Sequence, residues 1–228
     1  MNFNEKIWGI IPKRVKAYFY FKNLIEFREN IKWEYCRLSY SQEGEDLLID
    51  RILYNENLFY VDVGAHHPFR FSNTYLFYRR GARGINIDAS PGSMELFKKY
   101  RPNDVNLELP ISNKKEVLNF SIFEEPALNS FDEDLVQARE NNGWKVIRKI
   151  RFETSKLSDV LDNYLPPGQK IDFLSIDVEG WDLKVLESND WEKYRPKLIC
   201  IESNDTDSQT SRQNISSYLN LIGYTEPY

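Results

Sequence analysis

The sequence FYVDVGAHHP, residues 59–68, predicts a buried strand that ends abruptly in polar residues. Its first half is apolar, which favours a strand inside a sheet. Asp62 and Gly64 close the strand, and His66 and His67 follow as the two histidines of the whole chain. Because ligands of open α/β sheets bind at the carboxyl ends of strands, these residues indicate a ligand site at this end.

Strand-like and helix-like segments alternate after Tyr40. Several strand-like segments are apolar almost throughout, as strands covered on both faces are. Each helix-like segment has helical apolar spacing and a Gly or Pro near its end. The repeated order predicts an α/β fold with a doubly wound, mostly parallel sheet. The predicted strands are 58–64, 83–89, 104–112, 116–123, 171–178 and 197–203, and the predicted helices are 72–81, 91–102, 156–166 and 179–196.

Length, charge and cysteine content limit the classes of protein to which the chain can belong. A chain of 228 residues that is 41% hydrophobic can form one domain with a sizeable core, predicted to be 40–228. The net charge of -5 argues against nucleic acid as a partner. Cys36 and Cys200 lie far apart in the sequence. This indicates that both are reduced and pack inside the protein, with no disulfide framework. Neither a signal peptide nor a transmembrane run of about 18 apolar residues is evident, so we expect a cytoplasmic protein.

Residues 1–39 form a predicted helical extension with a different composition. Residues 6–37 contain eight Lys or Arg and three Glu, mixed with aromatic residues at roughly helical spacing. One interpretation is a helix packed on the domain or on a second subunit, which would make a homodimer. The other interpretation is adsorption to a membrane surface.

The predicted strand ends do not suit a dinucleotide, because that ligand needs several spaced glycines and Gly64 stands alone. They suit a nucleoside without phosphates, and S-adenosylmethionine is such a ligand. Asp88, 24 residues after Gly64, can accept both ribose hydroxyl protons. Asp62 can face the sulfonium cation. The alternative for both acids is helix capping or turn formation.

Five segments carry a resemblance to a known family: SQEGEDLL (41–48), VDVGAHHPFRFSNT (61–74), NIDASPGSM (86–94), ALNSF (127–131) and FLSIDVEGWDLKVL (173–186). The chain resembles the FkbM-type S-adenosylmethionine-dependent methyltransferases over about residues 40–204. The resemblance implies a Rossmann-like fold of the class I methyltransferase type. It also implies methyl transfer to a hydroxyl oxygen, with a sugar, nucleotide-linked sugar or glycosylated metabolite of surface-polysaccharide biosynthesis as acceptor.

The same resemblance implies roles for individual residues. Gln42 and the loop 64–66 hold the amino-acid end of the cofactor, and Asp88 binds its ribose. Ile111 and Ser112 bracket the adenine, while Asn129 and Ser130 close over the methionine side. The full predicted cofactor set is Gln42, Asp62, Gly64, Ala65, His66, Asp88, Ala89, Ser90, Ile111, Ser112 and Asn129.

Three residues are candidates for the base that takes the proton of the acceptor hydroxyl. His67 has an ordinary pKa close to neutral pH, and Asp177 and Glu179 follow another predicted strand at the same edge. The alternative for His67 is that it caps the next helix or orders the turn at Pro68.

A metal site is the second mechanism that the sequence allows. Asp177, Glu202 and Asn204 form an oxygen-rich set that suits Mg²⁺ or Mn²⁺.

Two other functions stay open. A nucleotide-sugar glycosyltransferase could use Asp177 and Glu179 for its metal, and a non-catalytic scaffold could bind S-adenosylmethionine without turnover.

Overall fold

The computed structural model describes residues 37–54, 57–201 and 209–225. Its main sheet consists of β1 (Phe59–Val63), β2 (Arg83–Asp88), β3 (Val105–Glu108), β6 (Phe173–Ile176) and β7 (Leu198–Ile201). These five strands are all parallel and lie in the order β3-β2-β1-β6-β7. The order reverses at β1, which creates the switch point where ligands of such sheets bind. The predicted doubly wound α/β fold is therefore confirmed.

Helices cover both faces of this sheet. They are α1 (Glu45–Leu53), α2 (Tyr75–Arg79), α3 (Ser93–Tyr100), α5 (Leu157–Tyr164), α6 (Asp182–Glu187) and α7 (Gln209–Leu221). Val61, Ile85 and Leu174 belong to a core that includes residues of α5, α6 and α7. Tyr60 and Phe173 point to the other face and pack with residues of α1 and α2. This division follows from the alternation of side chains along a strand.

A second, smaller sheet was not predicted. Its strand β4 (Val117–Phe123) agrees with the predicted strand 116–123, but it pairs antiparallel with β5 (Val146–Glu153) and not with the main sheet. Helix α4 (Glu133–Asn141) lies between these two strands in the chain. The predicted strand 104–112 is also too long, because β3 ends at Glu108 and Ile111 forms only an isolated bridge with Ser155.

A buried polar network lies against β1 and β2. Arg101 is fully buried and forms an ion pair with Asp104 at 2.9 Å. It also donates to the Tyr60 hydroxyl at 2.6 Å and to the Thr74 hydroxyl at 3.0 Å, and Thr74 donates to Asp62 at 2.7 Å. These contacts satisfy charges that would otherwise be costly to bury.

Two further predictions concern parts of the chain beyond the sheet. The predicted extension 1–39 lies almost wholly outside the described residues. In the described ranges, no helix combines the length and apolarity needed to cross a membrane.

Candidate active site

A cavity of about 560 Å³ lies at the carboxyl ends of β1, β2 and β6. Its inner wall comes from the loops that follow these strands. Its outer wall comes from a 3₁₀ turn, Pro126–Leu128, and from α4. The structure brings together at this cavity the predicted residues Gln42, Gly64, His66, Asp88, Ala89, Ser90, Asn129, Asp177 and Glu179.

The turn at Gly64 joins the three strand ends. Its N–H donates to the Ile87 carbonyl over 2.9 Å, and the Asp177 N–H donates to the Val63 carbonyl over 2.9 Å. Gly64 has a φ of 87°, and a Cβ at this position would lie 1.7 Å from the carbonyl oxygen of Asp177. Only glycine fits both this backbone conformation and this close approach.

The Asp88 carboxylate is held in a fixed orientation at the end of β2. One of its oxygens accepts the His66 N–H over 2.9 Å, and the other accepts the Ser90 N–H over 2.7 Å. The Ser90 hydroxyl in turn accepts a hydrogen bond from the Asn129 side-chain amide over 3.0 Å. Asn129 is anchored because its Oδ1 accepts the Phe123 N–H over 2.9 Å. The network therefore connects the loop after β2 to the outer wall.

His66 lies at the cavity with an unusual backbone conformation. Its φ of 51° is in the left-handed region, which is uncommon for a residue other than glycine. Its ring stacks on Phe71 with 6.4 Å between the centroids. Burial lowers the pKa of His66, and the nearby charge of Asp88 opposes this shift. The imidazole is therefore neutral at neutral pH, and its buried Nε2 has no hydrogen-bond partner within the described part of the chain.

His67 makes its side-chain contacts within the turn that follows Gly64. Of the described residues, His67 is not one that lines the cavity. Its Nδ1 accepts the N–H of Phe69 over 3.3 Å and that of Arg70 over 3.1 Å. The ring also contacts Phe69 edge-on, with 4.4 Å between the centroids. These contacts support the alternative that His67 orders the turn around Pro68.

Two acids from the loop after β6 lie at the cavity. Asp177 follows the strand directly, and Glu179 has a strained, left-handed φ of 53°. The Glu179 carboxylate forms an ion pair with Arg139 of α4, and its carbonyl accepts the Ser130 hydroxyl over 2.8 Å. Arg139 also donates to the Leu128 carbonyl over 2.7 Å. These contacts join the outer wall to the loop that carries both acids.

Two predicted cofactor residues lie inside the domain. The Asp62 carboxylate accepts the Thr74 hydroxyl over 2.7 Å, and burial raises its pKa while the charge of Arg101 opposes that rise. Ala65 is buried and packs with Met94 and Phe97 of α3. Neither Asp62 nor Ala65 is among the described residues that line the cavity.

The predicted adenine residues lie beside the cavity. Ile111 lines a void of about 30 Å³, and Asp88 and Ala89 line both this void and the main cavity. Ser112 is fully buried, and its N–H donates to the Ser155 carbonyl over 2.9 Å. Ile111 therefore has a place next to the cavity, whereas Ser112 supports the backbone behind it.

The outer wall contains residues that sequence reasoning missed. Phe120 comes from β4, and Trp144 follows α4. Between these two residues in the chain, α4 and the residue that follows it contribute four residues to the cavity wall. Their spacing of i, i+3, i+4 and i+7 places them on one face of the helix. This spacing was visible in the sequence, but it combines apolar with polar residues and does not read as a buried face. Its members are Leu135, Ala138, Arg139 and Asn142.

The predicted metal site can be followed only at Asp177. Glu202 and Asn204 fall in 202–208, outside the described residues. In the ranges that the structure does describe, no group of three or more His, Cys, Asp or Glu is placed to hold a metal ion. The metal therefore stays a prediction.

Comparison with known proteins supplies the family. The family described as "Methyltransferase FkbM domain" matches residues 62–225, from β1 to the end of the described chain. Searches among curated proteins and among solved structures gave no match. The strand order of the parallel sheet is typical of class I Rossmann-like methyltransferases. The chain therefore belongs to the FkbM family and is an S-adenosylmethionine-dependent methyltransferase.

Proposed function

We propose that the protein is an O-methyltransferase that acts on a hydroxyl of a sugar, a nucleotide-linked sugar or a glycosylated metabolite in bacterial surface-polysaccharide biosynthesis. One observation supports this above others: the cavity holds two sets of acids on opposite sides of Gly64. Asp88 lies at the end of β2, and Asp177 and Glu179 lie after β6. A methyl transfer needs two reactants held in line, and one cavity with two polar subsites can hold both.

S-adenosylmethionine supplies the methyl group and fits the inner wall of the cavity. The Asp88 carboxylate keeps lone pairs for the ribose hydroxyls after accepting its two backbone N–H groups. Gly64 lets the backbone pass close to the ligand, and Gln42 offers an amide to its amino-acid end. Ala89 in the cavity wall, with Ile111 beside it, offers apolar surface to the adenine.

Asp88→Ala is expected to weaken binding of S-adenosylhomocysteine by at least about tenfold, because a charged hydrogen bond to a buried carboxylate contributes roughly 1.5 to 3 kcal/mol. Isothermal titration calorimetry measures the change. Asp159→Ala on α5 is the matched control, since this partly exposed acid pairs with Lys115 and is not among the described residues that line the cavity. Equal affinity of the Asp88 variant and the wild type would remove Asp88 from the ribose site.

We propose Asp177 as the base in place of His67. A sugar hydroxyl loses its proton during methyl transfer, and a carboxylate within hydrogen-bond reach can accept it. Asp177 lies at the cavity beside the Gly64 turn, directly after β6, and Glu179 joins this loop to Arg139 of α4. Glu179 then serves to position the loop, and Asp177 accepts the proton.

The glycosyltransferase alternative has less support. A diphosphate donor needs cationic or glycine-rich contacts. Among the described residues that line the cavity, Arg139 is the single permanent cation, and its partner is Glu179. Without a bound metal, the acids of the cavity would repel a diphosphate.

The assay that tests the proposed function uses methyl-labelled S-adenosylmethionine and a panel of free, nucleotide-linked and lipid-free saccharides. We expect a methyl ether as product, identified by mass spectrometry and NMR. Transfer to nitrogen or carbon would contradict the O-methyl assignment. Binding of the cofactor without transfer to any hydroxylated compound would support the scaffold alternative.

Removal of metal separates the two mechanisms. We expect dialysis against EDTA to leave the rate of methyl transfer largely intact, because a carboxylate base needs no metal. Re-addition of Mg²⁺ or Mn²⁺ is the control. A rate that is lost with EDTA and restored by either ion would instead assign Asp177, Glu202 and Asn204 to a metal site.

A further inference from the structure

The outer wall of the cavity is built by a separate part of the chain from the one that faces the cofactor. Helix α4 and the β4–β5 sheet lie between β3 and β6 in sequence, outside the alternating pattern of the main sheet. Leu135, Ala138 and Asn142 turn one face of this helix to the cavity. This wall is where a second reactant can contact the protein.

Trp144 stands at the rim of this wall on a fixed backbone. Its N–H donates to the Arg139 carbonyl over 3.1 Å, and the preceding Gly143, with a φ of 92°, donates to the Glu140 carbonyl over 3.0 Å. These bonds cap the end of α4. The Trp144 side chain is nevertheless 47% exposed, although it lines the cavity. A half-exposed indole beside a cavity, carried on a backbone that these hydrogen bonds fix, offers a flat apolar surface to a ligand.

The charges of the cavity indicate that this ligand surface suits an uncharged group. Asp88, Asp177 and Glu179 contribute three carboxylates to the lining, and Arg139 contributes one guanidinium that is paired with Glu179. Arg139 is also engaged with the Leu128 carbonyl. An acceptor that brought a carboxylate or phosphate into the cavity would meet excess negative charge.

We propose that Trp144 and the cavity-facing residues of α4 form the acceptor subsite, and that this subsite takes an uncharged sugar ring. The apolar face of the ring stacks on the Trp144 indole, and the Asn142 amide hydrogen-bonds its hydroxyls. Leu135 and Ala138 exclude water from the ring. The inference rests on the proposed function. It restricts the acceptor to saccharides in which the sugar unit that is methylated carries no charge.

Saturation-transfer NMR on the full chain, saturated with S-adenosylhomocysteine, tests the subsite. The probes are methyl α-D-glucopyranoside, the corresponding mannoside and galactoside, and methyl glucuronide as the charged comparison. We expect binding of at least one neutral glycoside and weaker binding of the glucuronide. Trp144→Ala should weaken the neutral glycoside at least about tenfold, the size of effect usual for an aromatic anchor, and Trp144→Phe should restore part of it.

Ile147→Ala is the matched control, because Ile147 is 61% exposed in β5, close to Trp144 in the chain, and is not among the described residues of the cavity wall. It should bind the glycoside like the wild type. Three results would each contradict the proposed subsite. They are unchanged glycoside binding by Trp144→Ala, tighter binding of the glucuronide than of the neutral glycosides, and no binding of any neutral glycoside to the wild type. Calorimetry with S-adenosylhomocysteine on the same samples reports on the cofactor site, and the methyl-transfer assay on the saccharide panel reports on the proposed function. Methylation of a saccharide that Trp144→Ala leaves unchanged would therefore contradict the subsite while supporting the proposed function.

Discussion

Gly64→Ala is expected to abolish measurable binding of S-adenosylhomocysteine and to lower the free energy of unfolding by roughly 2 to 5 kcal/mol, from a left-handed backbone and an overpacked turn. The added Cβ would lie 1.7 Å from the carbonyl oxygen of Asp177 and 3.2 Å from a methyl group of Val178. The strand ends at the cavity would have to separate to make room. Urea unfolding and calorimetry measure the two effects.

Gly168→Ala separates the clash from the backbone strain. Gly168 has a φ of 75°, but nothing lies within 4 Å of a Cβ built on it. This variant should lose only about 1 to 2 kcal/mol of stability and bind S-adenosylhomocysteine normally. If Gly64→Ala behaved like Gly168→Ala in both measurements, the close approach of β1 and β6 would not shape the cofactor site.

Asp177→Asn is expected to lower kcat for methyl transfer by about 100-fold, the lower end of what a general base contributes. The substitution keeps the shape of the side chain but removes its ability to take a proton at neutral pH. Affinity for S-adenosylhomocysteine should change little. Steady-state kinetics with an acceptor identified in the saccharide panel, together with calorimetry, measure both quantities.

His67→Ala provides the comparison for Asp177→Asn. Since the His67 Nδ1 accepts the backbone N–H groups of Phe69 and Arg70, this variant should lose some stability and keep most of its kcat. The opposite pattern, with kcat lost in His67→Ala and kept in Asp177→Asn, would return the proton transfer to the histidine.

The parallel sheet could be predicted because its strands are apolar and end in polar residues. The stretch 59–68 and the segments around Asp88 and Asp177 carry both signals, and the structure brings these strand ends to one cavity. The β5 strand, VIRKIRFE, was missed because it belongs to an exposed two-stranded sheet and its first half, VIRK, does not alternate, although its second half, IRFE, does.

The roles of the two histidines depended on a backbone feature that the sequence does not reveal. The structure places His66 at the cavity, and His67 is not among the described residues that line it. The left-handed φ of His66 then turns the chain so that His67 meets the N–H groups of its own turn. The Arg139–Glu179 ion pair could not be predicted from the sequence either, because it joins residues that are 40 positions apart.

The central claim is that the cavity at the carboxyl ends of β1, β2 and β6 binds S-adenosylmethionine. Calorimetric titration of the wild-type protein with S-adenosylhomocysteine tests it without knowledge of the acceptor. The account predicts one site per chain with a dissociation constant on the order of micromolar. Folded protein that shows no binding at a ligand concentration of about 1 mM would contradict it.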